Sequence, residues 1–471
     1  MKSIEEVIDY VKGHVVPTEA EKEGMLEEVN GAKARIESAF SKSKYQVEVL
    51  VEGSVAKDTW LKGETDVDIF VRFSPEYEKE EIGGVTISTA KNLWGEERCV
   101  ERYAEHPFVT AYVKDLKLDI VPCFKSKPGE WKSATDRTPY HTEFIRNNLS
   151  SEEKDEARLL KRFTKGIGVY GAEIKVGGFS GLLCELLVYN FKTFQKTIEV
   201  MSSLKLPFLI DPMNYYRGQE AEAYRIFNFG LIVVDPSDER RNVAAALTQT
   251  KLGDMMAAST AFTKEPNTKF FYPLRRSLSV IHLRKAIRRE RRQLLAFELG
   301  KVNAPPDIFW GQLYSARDKI QSIMKNADFN VTRIMAWTDE KTSSFIIMEL
   351  ESRTLPLLRK KTGPPIGSPH TQRYMDIYAS GRGVVGPWIQ GERFYIMTRR
   401  RHLDASTYLK KALSEYARSG GMPSLIAQRI RGQVRILVDE QVSTLARSKE
   451  AAQSLTEFLD GRPIWMINAY G

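Results

Sequence analysis

Residues 51–73 read VEGSVAKDTWLKGETDVDIFVRF, and this stretch decides the fold. Two aspartates, Asp66 and Asp68, stand two apart, with Val67, Ile69, Phe70 and Val71 between and after them. In a strand, positions i and i+2 face the same way. At about 3.3 Å per residue, the two carboxylates start roughly 6.6 Å apart on one face. Carboxylates so placed repel each other unless a proton or a cation lies between them. Hard oxygen donors on one face suit Mg²⁺, which one or two carboxylates hold together with substrate phosphates. Gly53 and Ser54 precede the pair and follow a second predicted strand, Tyr45 to Glu52. Glycine lets a phosphate approach the backbone, serine offers a hydroxyl and an N–H, and Lys57 adds a counter-charge. An Asp-x-Asp pair alone is common, and so is a Gly-Ser turn. Strand, Gly-Ser, spacer and Asp-x-Asp strand together are much more specific.

Working outward, Thr18 with Glu21 forms a capping box between two N-terminal helices that run to about residue 42. A helix is expected over Thr86–Glu105, ended by His106-Pro107, and then strands Phe108–Lys114 and Lys117–Phe124. Asp119 lies among Leu118, Ile120 and Val121 in the second of these. It reads either as an acid on a solvated sheet face or as a third metal ligand, and the ligand is the preferred reading. The turn-rich SATDRTPYHTEF, Ser133 to Phe144, enters a helix; Ser150 and Glu153 cap the next one, whose last turns carry Lys161, Arg162 and Lys165. GGFSGLLCELLVYNFKTF, from Gly177, reads as a largely buried helix in which Glu185 satisfies a buried partner. After a strand at Leu231–Val234, SDERRNVAAALTQ is expected to begin a helix. Arg240 and Arg241 would then sit where the helix dipole disfavours cations, and read either as placed for a ligand or as solvated loop arginines.

Beyond about residue 270 the texture changes. RKAIRRERRQLL, Arg284 to Leu295, is densely basic, with Val280, Leu283, Ile287 and Leu294 at helical spacing. Val331–Trp337 and Ser344–Leu350 predict a β-hairpin. Lys360-Lys361 and Arg399-Arg400-Arg401, the latter after GERFYIM, interleave basic and aromatic residues in a pattern that suits RNA contacts, with solvated surface charge the default for any single residue.

The 471 residues are enough for two to four domains. Hydrophobic residues make up 42% and charged residues 28%, and no run is apolar enough to span a membrane. The charged N-terminus excludes a secretory signal. Three dispersed cysteines, Cys99, Cys123 and Cys184, exclude a zinc pattern and point to a reducing, cytoplasmic setting. Seventy basic against 61 acidic residues give a net charge of +9, which favours a polyanionic partner.

Gly53-Ser54, Asp66-x-Asp68 and Asp119 resemble the polymerase-β-like nucleotidyltransferase superfamily. The words EGSVAKDTWLKGETDVDIFV, ERYAEHPFV, LDIVPCF, SATDRTPYH, GFSGLLCELL and DERRNVAAAL are similar to those of the archaeal-type, class I CCA-adding tRNA nucleotidyltransferases. The similarity is strong over residues 1–260 and weaker, though consistent in length and character, beyond them. Glu52 departs from the superfamily pattern, which carries an apolar residue before the glycine.

The resemblance implies an α+β, multi-domain chain. A polymerase-β-like head with a mixed sheet would cover 1–150, a helical nucleotide-binding neck 151–270, and an α/β body and tail that bind tRNA 271–471. It implies addition of C, C and A to the tRNA 3′ end from CTP and ATP without a template, releasing pyrophosphate. By the same resemblance Asp66, Asp68 and Asp119 would hold two Mg²⁺ ions, while Gly53, Ser54 and Lys57 would meet the triphosphate. Lys161 and Tyr170 match neck positions that hold triphosphate and sugar, and His141 falls in the loop that carries a family histidine. Arg241, with Arg240 as second choice, would read the base, and Glu105 would lie beside the primer end. A poly(A) or oligoadenylate-type transferase and a non-catalytic RNA-binding relative are the alternatives. The sequence leaves the oligomeric state open, a homodimer included.

Overall fold

In the computed structural model, residues 3–103, 107–380, 385–432 and 434–470 are described. The chain divides into two compact units, Met1–Arg275 with Arg462–Gly471, and Arg276–Gly461.

The first unit opens with the helices Ile4–Val15 and Glu19–Phe40, each started by a complete capping box, at Ser3 and at Thr18. A five-stranded sheet follows. Its strands are β1 (Val47–Glu52), β2 (Asp66–Phe73), β3 (Cys99–Tyr103), β4 (Pro107–Val113) and β5 (Leu116–Phe124), in the order β1-β2-β5-β4-β3. Only β2 and β5 run parallel; the other pairs are antiparallel. Val67, Ile69, Val71 and Phe73 of β2, with Leu118 and Ile120 of β5, pack under the helices Glu19–Phe40 and Lys79–Trp94. Strict alternation therefore puts Asp66, Asp68 and Asp119 on the opposite face.

The helix expected over Thr86–Glu105 in fact spans Lys79–Trp94. Gly95, at φ +92°, ends it in a conformation that only glycine adopts freely, and Cys99–Tyr103 becomes the edge strand β3. Glu105 lies outside the described residues.

A helical layer completes this unit: Thr138–Asn148, Ser151–Gly166, Gly181–Phe191, Phe194–Ser202 and Gln249–Lys264. Its core holds Phe163, Phe194, Phe262, Phe270 and Phe271, and Trp465 joins them from the C-terminal segment. A small sheet, β6 (Phe208–Ile210), β7 (Leu231–Asp235) and β8 (Asp238–Asn242), lies in this layer. The helix expected from SDERRN is thus the strand β8. The Asn242 side chain fixes it by accepting from Val233 N–H and donating to the Leu231 carbonyl, and the next helix starts only at Gln249.

In the second unit the basic helix is Val280–Arg289, shorter than its apolar spacing suggests, because Leu294–Glu298 forms strand β9. The expected hairpin is β10 (Val331–Thr338) with β11 (Ser344–Leu350). With β15 (Arg435–Val438) these make an antiparallel sheet in the order β10-β11-β9-β15, with helices packed on both faces. A second sheet, β12 (Leu358–Pro365), β14 (Arg393–Arg399) and β13 (Val385–Gln390), sets the Lys360 ammonium 3.9 Å from the centre of the Tyr395 ring. Among the described residues no helix is long and apolar enough to cross a membrane.

Candidate active site

The parallel register of β2 and β5 places Asp68 directly opposite Asp119, and Asp66 opposite Lys117. The three aspartates therefore share one sheet face. The Thr110 hydroxyl on β4 donates to Asp119 Oδ1 at 2.6 Å. Lys117 Nζ lies 2.7 Å from Asp66 Oδ1 and 3.7 Å from Asp119 Oδ2. Burial first, and then the neighbouring Asp119 charge, push the Asp68 carboxyl up to about 6. Three carboxylates outnumber the one ammonium on this face, and its donors are the hard oxygens that Mg²⁺ prefers. Among the described residues no three acidic, histidine or cysteine side chains already converge on one point.

Gly53 follows β1 at φ +67°, and a Cβ there would lie 1.9 Å from Asp68 Oδ2. Only a glycine lets the loop close over this carboxylate. The donor set and the glycine cradle both fit a divalent ion held by Asp66, Asp68 and Asp119. Glu52, the departure from the superfamily pattern, is buried at the end of β1; burial raises its carboxyl to about 7, and its Oε2 makes no hydrogen bond.

The β1–β2 loop also carries Lys57 and Thr59 into a buried cluster. Lys57 Nζ is 2.9 Å from Glu185 Oε2, Lys161 Nζ is 2.7 Å from Glu185 Oε1, and the Thr59 hydroxyl donates to the same Oε1 at 2.6 Å. Burial alone would raise the Glu185 carboxyl; Lys161 and Lys57 outweigh it and hold it at about 2. Glu185 thus has the buried partners expected of it. Beside this cluster, the helix Gly181–Phe191 starts against Tyr170 and Lys161. A Cβ on Gly181 would be 3.2 Å from the Tyr170 hydroxyl and 3.7 Å from Lys161 Nζ. An ammonium at the positive end of a helix dipole is a favourable place for an anion.

His141 and Arg241 meet at Asp235. His141 Nε2 lies 2.9 Å from both carboxylate oxygens, Arg241 Nη1 donates to Oδ2 at 2.6 Å, and the Ser237 hydroxyl donates to Oδ1 at 2.7 Å. Burial alone would raise the Asp235 carboxyl, but these partners hold it well below the usual carboxylate range. Arg241 is 39% exposed and pinned, whereas Arg240 is 86% exposed and lies 4.0 Å from Glu239. Both line a cavity of about 1110 Å³ with Trp131, Arg137, Ser180 and Tyr215. The described lining does not include the three aspartates.

Two groups of expected residues are therefore brought together, the carboxylates with Gly53, and Lys57 with Lys161. His141 and Arg241 form a third. Ser54 sits in the single helical turn Gly53–Ala56. Sequence reasoning missed Thr59, Thr110, Lys117 and Asp235. Lys117 could have been found, since it has the same strand parity as Asp119. Asp235 could not, because it meets His141 across 94 residues.

Three family models match the chain: a nucleotidyltransferase domain over 33–141, a tRNA nucleotidyltransferase second domain over 155–272, and a CCA-adding enzyme C-terminal domain over 292–439. The chain is 33% identical over 427 residues to the CCA-adding enzyme of Halobacterium salinarum, covering 89% of this chain and 92% of that protein. It is 33% identical over 419 residues to the CCA-adding enzyme of Methanothermobacter thermautotrophicus, covering 88% of each. To that of Methanopyrus kandleri it is 32% identical over 485 residues, covering 98% of each. With a mixed nucleotidyltransferase sheet and relatives of this similarity over most of its length, the chain belongs to the family of CCA-adding enzymes.

Proposed function

We propose that this protein adds C, C and A to the 3′ end of tRNA from CTP and ATP, without a nucleic-acid template, releasing pyrophosphate at each step. Residues 1–150 serve as the catalytic head, 151–270 as the neck, and 271–471 as the body and tail that grip the tRNA, in the cytoplasm. The observation that carries the reading is Asp119 opposite Asp68 across parallel strands, on the face that also bears Asp66.

Two Mg²⁺ ions held by these carboxylates would supply charge neutralisation at the phosphates and acidify the 3′-hydroxyl. The remaining work falls to the chain. Gly53 keeps the loop close over Asp68, so the Ser54 hydroxyl and the loop amides can meet the triphosphate. Lys57 and Lys161 add positive charge that Glu185 has already fixed in place, and Tyr170 closes the same wall. Preorganised charge of this kind accounts for most of the rate in phosphoryl and nucleotidyl transfer. Arg241, held by Asp235 and thereby coupled to His141, offers its remaining N–H groups to a base in the cavity; Arg240 stands nearer to solvent. Glu105 is assigned to the primer end.

Labelled CTP or ATP with Mg²⁺, with and without tRNA trimmed of its CCA, tests this reading. Label should enter only when tRNA is present. Product formed without tRNA would indicate an oligoadenylate-type enzyme, ATP-only tailing a poly(A) polymerase, and no incorporation a non-catalytic RNA binder.

Gly53→Ala is a sharper test of the loop. A left-handed backbone costs an L-residue about 1–2 kcal/mol, and the new methyl must displace the Asp68 carboxylate. A displacement of about 1 Å at a reacting centre costs on the order of 10²-fold in rate. Incorporation should fall by that factor with tRNA binding unchanged; wild-type kcat/KM would contradict the assignment of the loop.

A further inference from the structure

The carboxylate face carries its own cation. Asp66 and Asp68 on β2 pair across the sheet with Lys117 and Asp119 on β5, a square of three acids and one base. The Lys117 ammonium lies 2.7 Å from Asp66 Oδ1 and 3.7 Å from Asp119 Oδ2, so it bridges one carboxylate from each strand. Tyr112 of β4 is its other cross-strand neighbour, and Lys57 acts on Asp68 from the loop side. The Lys117 side chain is 35% exposed, which leaves it an open route to solvent.

A divalent ion needs the oxygens that this ammonium already holds. Two cations at such range repel strongly, so one must leave. Lysine is well fitted to leave, because its charge is compact, strongly hydrated and carried on a flexible stem, whereas arginine would grip the carboxylates with a rigid fork.

We propose that Lys117 is a resident counter-cation of the active-site carboxylates. It offsets part of the charge of Asp66 and Asp119 in the nucleotide-free protein, competes with the divalent ion, and swings into solvent when ion and triphosphate arrive together. The inference rests on the reading above, in which Asp66 and Asp119 hold the ion. Its consequence is a low affinity for metal alone, so that the ion is recruited with the nucleotide, whose charge tips the balance.

The test is Mn²⁺ binding to the full chain without nucleotide, followed by loss of the free-ion signal in electron paramagnetic resonance. Lys117→Met should bind Mn²⁺ about tenfold more tightly than wild type, a typical size for the coupling between competing ligands. Lys117→Gln should do the same, which guards against a folding defect peculiar to one variant. Lys117→Arg, which keeps the charge, should bind no more tightly than wild type. Equal or weaker binding by both neutral variants would overturn the proposal. Adding Asp119→Ala to Lys117→Met should abolish the gain. If Mn²⁺ binding were instead insensitive to Asp119→Ala in both backgrounds, the assignment of the carboxylates as ligands would fall, a different result from an absent Lys117 effect.

Discussion

Asp119→Ala should abolish nucleotide incorporation while leaving tRNA binding within about twofold of wild type. Asp119 supplies one of three carboxylates on the β2–β5 face and stands opposite Asp68. In the proposed role of metal ligand, its removal would forfeit several kcal/mol of transition-state charge stabilisation, and about 4 kcal/mol corresponds to about 10³-fold in rate. The fold has little reason to suffer. Asp119 accepts one hydrogen bond from the Thr110 hydroxyl, worth about 0.5–1.5 kcal/mol, or somewhat more as an ionised acceptor, and the Lys117 ammonium, 3.7 Å away, keeps Asp66 as its nearer partner. The two effects are separable by measuring incorporation and tRNA binding on the same preparation. An active Asp119→Ala protein would remove the carboxylate from the mechanism.

Glu185→Gln carries the second large effect, and here stability suffers first. The carboxylate sits between two buried ammonium groups, Lys57 and Lys161, with Glu185 itself 1% exposed. Breaking a buried ion pair by removing one partner costs about 3–5 kcal/mol, because the other charge stays buried without compensation. Two lysines left unpaired place Glu185→Gln toward the upper end of that range. The pH dependence follows from the carboxyl being held at about 2 in the folded protein, against about 4.3 in an unfolded chain. A depressed acid stabilises the fold above its unfolded value, and that contribution is lost as pH falls from about 4.3 toward the folded value. Urea denaturation should therefore show the largest gap between wild type and Glu185→Gln at neutral pH, narrowing below about pH 4. A gap below about 1 kcal/mol at pH 7 would mean that the lysines find other partners. Nucleotide affinity should fall as well, since the lysines lose the group that aims them.

How far the sequence carries can be judged on these same residues. Asp66 and Asp68 were legible because Val67, Ile69 and Val71 alternate with them, and a half-buried strand has a period of two. Asp119 was legible for the same reason. The capping boxes at Thr18 and Ser150 announced their helices because capping is local chemistry. The errors lie where tertiary contacts override local preference. Cys99–Tyr103 is short and charged, and it is a strand because β4 pairs with it. Asp238–Asn242 ends in arginines and an asparagine before an alanine run, yet the Asn242 amide and β7 draw it into a sheet. The basic helix after residue 280 stops at Arg289 because Leu294 belongs to the central strand β9. In the site, Glu185 was legible only as a buried acid wanting a partner. That its partners are Lys57 and Lys161 depends on a contact across 128 residues, which no local pattern encodes.

The most direct measurement of the central claim is the length and sequence of the product. tRNA lacking its 3′ CCA, incubated with CTP, ATP and Mg²⁺, should gain two C residues and then one A and stop, as read by sequencing the extended 3′ ends. With CTP alone, extension should halt after the second C. Unlimited ATP tailing, or a product whose sequence varies from one tRNA to the next, would contradict the account.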